Sequence, residues 1–429
     1  MSIQSLDGRL GGASPRTARL LVAAGRRGDE IEDRHYLFVA APFGPFSRLL
    51  AESLRAEGAR CSRVILNAGD ASDWGLRDAV AFRGHPRAWP SWLASYLVRE
   101  QVSDLIVYGD SNPYCVAAMK RARRMDVKIH VLEQGYFRPD WITLERDGVN
   151  GSSRLPRDPD YFRQMAKFMP DTPHVGVGRI ARASVARIFA YHLLAYLGFP
   201  AFPNFRFAYP YSPLLQAGGH IRRFLLQHLN AGRTKATLER ILSSEAPMFL
   251  AILQRPGDSQ LVKHSTVKTV TQFIDAVLSS FSAYASPQAT LVFKCHPLDH
   301  GLEDHRAIIN RLAEARGVRD RVDYLDGGDL PAIVHRSSGV ISVNSTAGLV
   351  GIDLVRPTIV LGCATYDIRG MTHQDGLDAF WTRPQYPNLE VYSAYRRLVM
   401  ATTQINGAYS TARGIDLALP ETLRRLLAT

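Results

Sequence analysis

The sequence predicts an α/β fold in which two Rossmann-like domains face a cleft, with a helical, basic and aromatic insert between them. Three observations carry this reading. Short apolar runs that stop at Gly, Pro, Asn or Asp recur along the chain, stretches with helical spacing separate them, and the rhythm breaks once near the middle before it resumes. With 429 residues, 46% of them hydrophobic and 21% charged, the chain is long enough for more than one domain and too apolar for a disordered one.

Residues 1–33 are rich in Arg, Gly and Asp with little periodicity, and read as a basic leader outside the fold. The first domain is expected over 34–160. YLFVAAP is a strand and SRLLAESLRAEG a helix with a Gly stop; SRVILN, SDLIVYGD and VKIHVLEQG are further strands, with the helix PYCVAAMKRARRM before the last. Residues 161–245 form the insert, where RIARASVARIFAYHLLAYLGFPAF and HIRRFLLQHLNAGRTK mix aromatic, Leu and Arg residues. The second domain is expected over 246–429, with strands MFLAILQ, TLVFKCHP, RVDYLDGG, GVISVNS and PTIVLG and the helices VKTVTQFIDAVLSSF and LEDHRAIINRLAEARG. Strands alternating with helices imply parallel sheets.

Lys and Arg number 52 against 40 Asp and Glu, a net charge of +12, which points to anionic partners: nucleic acid, a phosphorylated substrate or an acidic membrane face. No nucleic-acid module or basic-aromatic sheet face is visible, so nucleic acid is not expected as a partner. The four cysteines form no CxxC pair, which argues against a zinc site or a disulfide framework and fits a reducing compartment. No run of 18 apolar residues occurs, and the N-terminal LLVAA patch is too short for a signal-peptide core.

In open parallel sheets, ligands gather beyond the carboxyl ends of the strands. Four ends carry polar clusters: Gly109-Asp110-Ser111, Glu133-Gln134-Gly135, Lys294-Cys295-His296-Pro297 and Asn344-Ser345-Thr346. Lys294 and His296 beside Ser345 and Thr346 suit a phosphate pocket, because a cation at a buried strand end calls for an anion. Each also has a plainer reading: Ser345 or Thr346 caps a helix, and His296 is a core histidine. Glycosyl transfer needs a carboxylate as nucleophile or base, and the candidates are Glu133, Asp258 and Asp110, each of which could instead be a loop cap.

The segments LEQGYFRPDWITLERDGVNGSSRLPRDPDYF, LQRPGDSQLVKHS, LVFKCHPLDHG, YLDGGDLP, VNSTAGLVGIDLVRPTIVLG and YDIRGMTHQDGLDAFW resemble, in order and spacing, the bacterial capsule polysaccharide synthesis family, in its KpsS-like branch of β-Kdo transferases. The resemblance runs from about His35 to Ser410. It implies a GT-B-like enzyme that moves Kdo from CMP-Kdo to a (lyso)phosphatidylglycerol-type lipid, starting the β-Kdo linker of a capsule. Asp258, in the pattern Q-x-x-x-D from Gln254, would be the catalytic carboxylate and Glu133 the acid of an EG-type motif; His296, Lys294 and Pro297 with Asn344, Ser345 and Thr346 would meet the CMP phosphate. Gln134 stands where related transferases often carry a second acid, and Cys295 where a bulkier residue is usual. The resemblance further implies retention through a glycosyl-enzyme at Asp258, with an inverting route left open and the CMP-sugar as co-substrate; no metal is expected, since no DxD-like pair sits at a strand end to hold one, and no cofactor. It places the enzyme in the cytoplasm, peripheral to the inner membrane and beside other capsule synthesis and export proteins. Another CMP-ulosonic acid as donor, and a non-catalytic assembly or export component, are the alternatives.

Independently of the resemblance, Arg182, Arg187, Arg206, Arg222 and Arg223 lie among Phe, Tyr and Leu in the insert, as in interfacial segments. The segment is expected to meet an anionic membrane; a buried amphipathic core helix is the competing reading.

Overall fold

The apolar runs become strands, and the order in which they lie side by side creates the cleft. A computed structural model describes residues 31–207, 211–257, Leu261, Ser265 and 267–428; residues 1–30 of the leader lie outside them. In the first domain β1 (His35–Val39), β2 (Arg60–Ile65), β3 (Ala79–Ala81), β4 (Asp104–Tyr108) and β5 (Lys128–Gln134) are parallel, and β6 (Trp141–Arg146) turns back antiparallel to β5. The order β5-β4-β1-β2-β3 is that of a doubly wound sheet, with the first strand central and buried along its whole length.

Helices α1 (Phe46–Ala56), α2 (Ala68–Trp74), α3 (Trp89–Arg99) and α4 (Pro113–Arg124) cross between strands. Phe46, Leu50 and Leu54, four residues apart, give α1 one buried stripe. Helix α4 has Asn112 as N-cap, Pro113 at its first position and Arg121, Arg123 and Arg124 in its last turn, each where the helix end favours it. At the amino-terminal edge of the sheet, Asp104 accepts from Arg34 at 2.6 Å and His130 at 2.7 Å. Burial would raise its carboxyl, but those two partners hold it well below the usual carboxylate range.

The insert comprises α5 (Pro159–Ala166), α6 (Arg182–Leu197), α7 (Pro213–Leu229) and α8 (Ala231–Ser243). It is not one bridging body. Helix α6 packs on α2, where the Tyr191 hydroxyl donates to Asp70 at 2.9 Å, whereas α7 and α8 pack on the second domain. The core-helix reading fails for the aromatic residues Phe189, Phe199 and Phe224, which are all exposed.

In the second domain β7 (Met248–Ile252), β8 (Thr290–Lys294), β9 (Val322–Leu325), β10 (Gly339–Ser342) and β11 (Thr358–Val360) form an all-parallel sheet in the order β11-β10-β7-β8-β9, the same winding as the first. Helices α9 (Val270–Tyr284), α10 (His305–Glu314), α11 (Leu330–Arg336) and α12 (Ala347–Asp353) connect its strands. Thr269 opens α9 with a capping box closed by Gln272.

Beyond α13 (Gly376–Phe380) and α14 (Leu389–Thr402), the chain leaves this domain. Strand β12 (Gln404–Asn406) pairs antiparallel with β6 and joins the first sheet, and α15 (Ala412–Leu427) ends with the Leu426 carbonyl accepting from Arg34 and Tyr36. The second domain therefore does not run through 246–429 as the sequence reading has it. A three-residue strand carries no readable period, so the crossing back is hidden in the sequence. The two Rossmann-like domains are thus tied twice, at the insert and at the C-terminal return.

Candidate active site

The carboxyl ends of β5, β8 and β10 open onto one cavity of about 380 Å³ between the two domains. The second domain contributes Lys294, His296, Pro297, Ser345 and Thr346; the first contributes Tyr136, Arg138, Asp140 and Trp141 from the β5–β6 turn. This turn is tight because Gly135 lies against Trp141: a Cβ at Gly135 would stand 2.2 Å from the Trp141 carbonyl oxygen. The wall it presents follows directly from that approach.

Lys294 ends β8 in register with Ile252 and Leu325 and is only 5% exposed. Among the described residues no carboxylate forms an ion pair with it. Burial lowers its ammonium from the ordinary lysine value, against the raising effect of Asp326 and Asp329. A half-desolvated cation at a strand end, facing a cavity, is a prepared anion site. Cys295 beside it is buried, and burial pushes its thiol up to about 12, so it stands as a neutral thiol.

His296 is half-buried, and its Nδ1 accepts from the Leu298 N–H at 3.0 Å, which leaves the neutral ring's proton on Nε2. The backbone that carries it is clamped from the insert. Arg223 of α7, 8% exposed, donates to the carbonyls of His296 at 3.0 Å, Pro297 at 2.9 Å and Asp299 at 2.7 Å, and pairs with Asp326 at 2.5 Å. Gly219 permits this close contact, since a Cβ there would meet the His300 carbonyl at 2.3 Å. Arg223 thus faces inward and is not one of the surface arginines the sequence reading made it. No local pattern signals this, because the partners lie 73 to 103 residues away.

Ser345 and Thr346 face the cavity ahead of α12; the Ser345 hydroxyl accepts from the Ala347 N–H at 3.1 Å, and Thr346 makes no side-chain cap. Asn344 turns the other way, its Oδ1 taking the Cys363 N–H at 2.6 Å, and holds the loop after β11. Gln254 is buried beyond β7, its Oε1 without a hydrogen-bond partner among the described residues, and is not among the residues that line the cavity. Glu133 belongs to the first domain: its Oε1 accepts from the Gln134 N–H at 2.9 Å and its other oxygen lies beside Gly109, so it is not brought into the cavity with His296. Asp110 is buried after β4. Asp258 lies outside the described residues.

Sequence reasoning passed over Arg138, Asp140 and Arg396. Arg396 lies over the Phe137 ring at 5.6 Å, and Arg138 donates to the Gly135 carbonyl at 3.2 Å, so two more cations reach the cavity from outside the second sheet. Asp140 accepts from the Val177 N–H at 2.9 Å and from His174 at 2.8 Å, which hold its carboxyl below the usual range. The one available signal was the polar RPD run beyond a strand end.

Behind the wall, Glu145 of β6 accepts from the Tyr136 hydroxyl at 2.6 Å and from Ser153. Burial pushes its carboxyl up to about 7, although both donors oppose the shift. The folded value exceeds the unfolded one, so its stabilising contribution is complete below about 4.5 and is lost as pH rises through about 7. Glu145→Gln is therefore expected to flatten a decline of at most about 3 kcal/mol in unfolding free energy between pH 5 and 8. Urea titrations at both pH values check this; equal declines in parent and variant would show Glu145 to be ionised throughout.

Two doubly wound domains with five basic side chains, Arg138, His174, Lys294, His296 and Arg396, and the hydroxyls of Ser345 and Thr346 around a shared cavity make this a GT-B-like α/β protein whose cleft is suited to an anionic ligand. The chain belongs to the capsule polysaccharide biosynthesis protein family, whose sequence model matches residues 103–409. It is 31% identical over 383 residues to the capsule polysaccharide export protein KpsS of Escherichia coli, covering 88% of this chain and 97% of that protein. It is 32% identical over 390 residues to the capsule polysaccharide modification protein LipB of Neisseria meningitidis serogroup A, covering 87% and 91%. Among solved structures, the β-Kdo 2,7 transferase KpsC of Thermosulfurimonas dismutans aligns with a TM-score of 0.45 at 11% identity, over 92% of this chain and 99% of that one.

Proposed function

We propose that the protein is a glycosyltransferase that moves Kdo from CMP-Kdo to a (lyso)phosphatidylglycerol-type lipid, as the first step of a capsule linker. The observation that carries the proposal is the convergence of Lys294, His296, Ser345 and Thr346 on one side of the cleft, with Arg138 and Arg396 across it. In the transfer, the bond between the sugar's anomeric carbon and the phosphate oxygen breaks, and its electron pair leaves with CMP. The cations and hydroxyls stabilise that developing phosphate charge in a site shielded from bulk water. Asp258 is the carboxylate we assign as nucleophile: it bonds to the anomeric carbon, and the lipid hydroxyl then displaces it and gives up its proton to a base, with net retention. The donor is soluble and the acceptor lies in a bilayer, so the enzyme works peripherally at the cytoplasmic face, beside the proteins that extend and export the chain. No described helix is long and apolar enough to cross a membrane.

Incubation with CMP-Kdo and a phosphatidylglycerol acceptor, followed by mass spectrometry of lipid and protein, tests this. Kdo is expected on the lipid, with CMP released, and Asp258→Asn is expected to lower turnover by about 10³-fold or more. Transfer from CMP-sialic acid but not from CMP-Kdo would move the assignment to another ulosonic acid. Absence of CMP release with either donor would remove it.

A further inference from the structure

Helices α6 and α7 carry apolar residues on the faces turned away from the protein. On α6 the inner face is set by Tyr191, whose ring packs on Phe43, while Val185, Phe189, Leu193 and Leu197, four residues apart, are 45% to 68% exposed. On α7 the inner face holds Gly219 and Arg223, while Leu214, Ile221, Leu225 and Leu229 are 56% to 82% exposed. Two helices, successive in the chain, with such outer stripes exceed the scattered exposed leucines of an ordinary surface.

The charge within the segment that carries them has one sign. From residue 172 to residue 238 the chain contains no Asp or Glu, yet eight Lys or Arg. Arg223 is turned inward, but Arg182, Arg187, Arg206 and Arg222 are exposed beside the stripes. Position adds a third constraint. Helix α6 lies over the segments that follow β1 and β2, through Phe43 and Asp70, and α7 over those that follow β8 and β9, through His296 and Asp326. Both therefore sit on the strand edges that open onto the cleft.

We propose that the outer faces of α6 and α7 form a docking surface for an anionic phospholipid bilayer, which holds the mouth of the cleft against the membrane. The apolar side chains enter the boundary between headgroups and acyl chains while the arginines meet lipid phosphates, the arrangement of an interfacial helix. A second copy is a poorer occupant: two-fold pairing would press two acid-free basic helices against themselves. The proposal deepens the lipid-acceptor reading above, but its test measures no turnover, so either can fail without the other.

The full chain is floated with vesicles of phosphatidylcholine, with and without phosphatidylglycerol, at low and high salt. Binding is expected to need phosphatidylglycerol and to weaken with salt. Two variants, Phe189→Ser/Leu193→Ser/Ile221→Ser/Leu225→Ser and Arg182→Ala/Arg187→Ala/Arg206→Ala/Arg222→Ala, are each expected to lower the partition coefficient about tenfold or more. All eight positions are exposed, so the melting temperature should hold and certify the fold. Failure of the parent to float with anionic vesicles, or equal flotation of parent and both variants, would overturn the proposal. So would light scattering that shows a parent dimer, converted to monomer by the serine variant with vesicle binding intact, since the face would then belong to a second copy.

Discussion

Replacing Lys294 by methionine is expected to lower kcat/KM for the CMP-sugar by about 10²- to 10³-fold while leaving the protein as stable as its parent or more so. The two effects have opposite signs for one reason. The ammonium is buried at the end of β8 with no acidic partner among the described residues, and burial lowers its pKa, so holding it there costs the fold free energy. Methionine keeps most of the apolar stem and fills the same slot without the charge; a gain of about 1 kcal/mol is the natural scale for removing such a group. What is lost is the cation that a core strand places at the cavity, where the proposed donor's phosphate would leave. Calorimetric titration with CMP and a thermal melt check both halves. Weaker CMP binding with an unchanged or higher Tm supports the role, whereas unchanged CMP binding with a lower Tm would make Lys294 a structural residue.

That Lys294 could be picked out beforehand shows where the sequence speaks clearly. All five strands of the second sheet are apolar runs ended by a polar or turn residue, and in a parallel sheet buried on both faces such ends are by construction where ligands sit. Lys294, His296, Ser345 and Thr346 are legible on that basis alone. Glu133 was chosen by the same rule, yet it lies inside β5, paired with Thr143 of the antiparallel β6, so one carboxylate oxygen lies beside Gly109 while the turn beyond it supplies Tyr136, Arg138 and Asp140. A hairpin on the edge of a parallel sheet reverses which residues face out, and nothing in WITLER distinguishes it from another parallel strand. Strands β3 and β12, of three residues each, are too short to carry a period at all. The insert was legible in composition but not in allegiance: its helices divide between the domains according to contacts such as Tyr191 with Asp70 and Arg223 with Asp326, which no local pattern encodes.

Arg223 carries the second large expected effect, because it joins the insert to the loop that carries His296. Its guanidinium donates to three carbonyls of one loop, at His296, Pro297 and Asp299, and to one carboxylate, at Asp326. Truncation in Arg223→Ala would take the guanidinium from all four acceptors in a largely buried place, leaving Asp326 to Gln227 and the His296 carbonyl to the Asp299 N–H, and a loss of about 3 to 5 kcal/mol is expected. That variant alone could simply unfold. Arg223→Lys is the discriminating one: it keeps a positive charge for Asp326 but has no planar fork, and so cannot hold the three carbonyls in one geometry. It is expected to retain most of the stability yet bind CMP about tenfold more weakly and lose turnover, since a loop that carries His296 loses its alignment when its backbone is freed. Circular dichroism melts and CMP titration separate the outcomes. If Arg223→Lys melts well below the parent while the fraction still folded binds CMP normally, Arg223 serves the fold alone. If CMP binding falls at a nearly unchanged Tm, the inner face of α7 positions His296, and the helix whose outer face is apolar and exposed is mechanically continuous with the site that holds the donor.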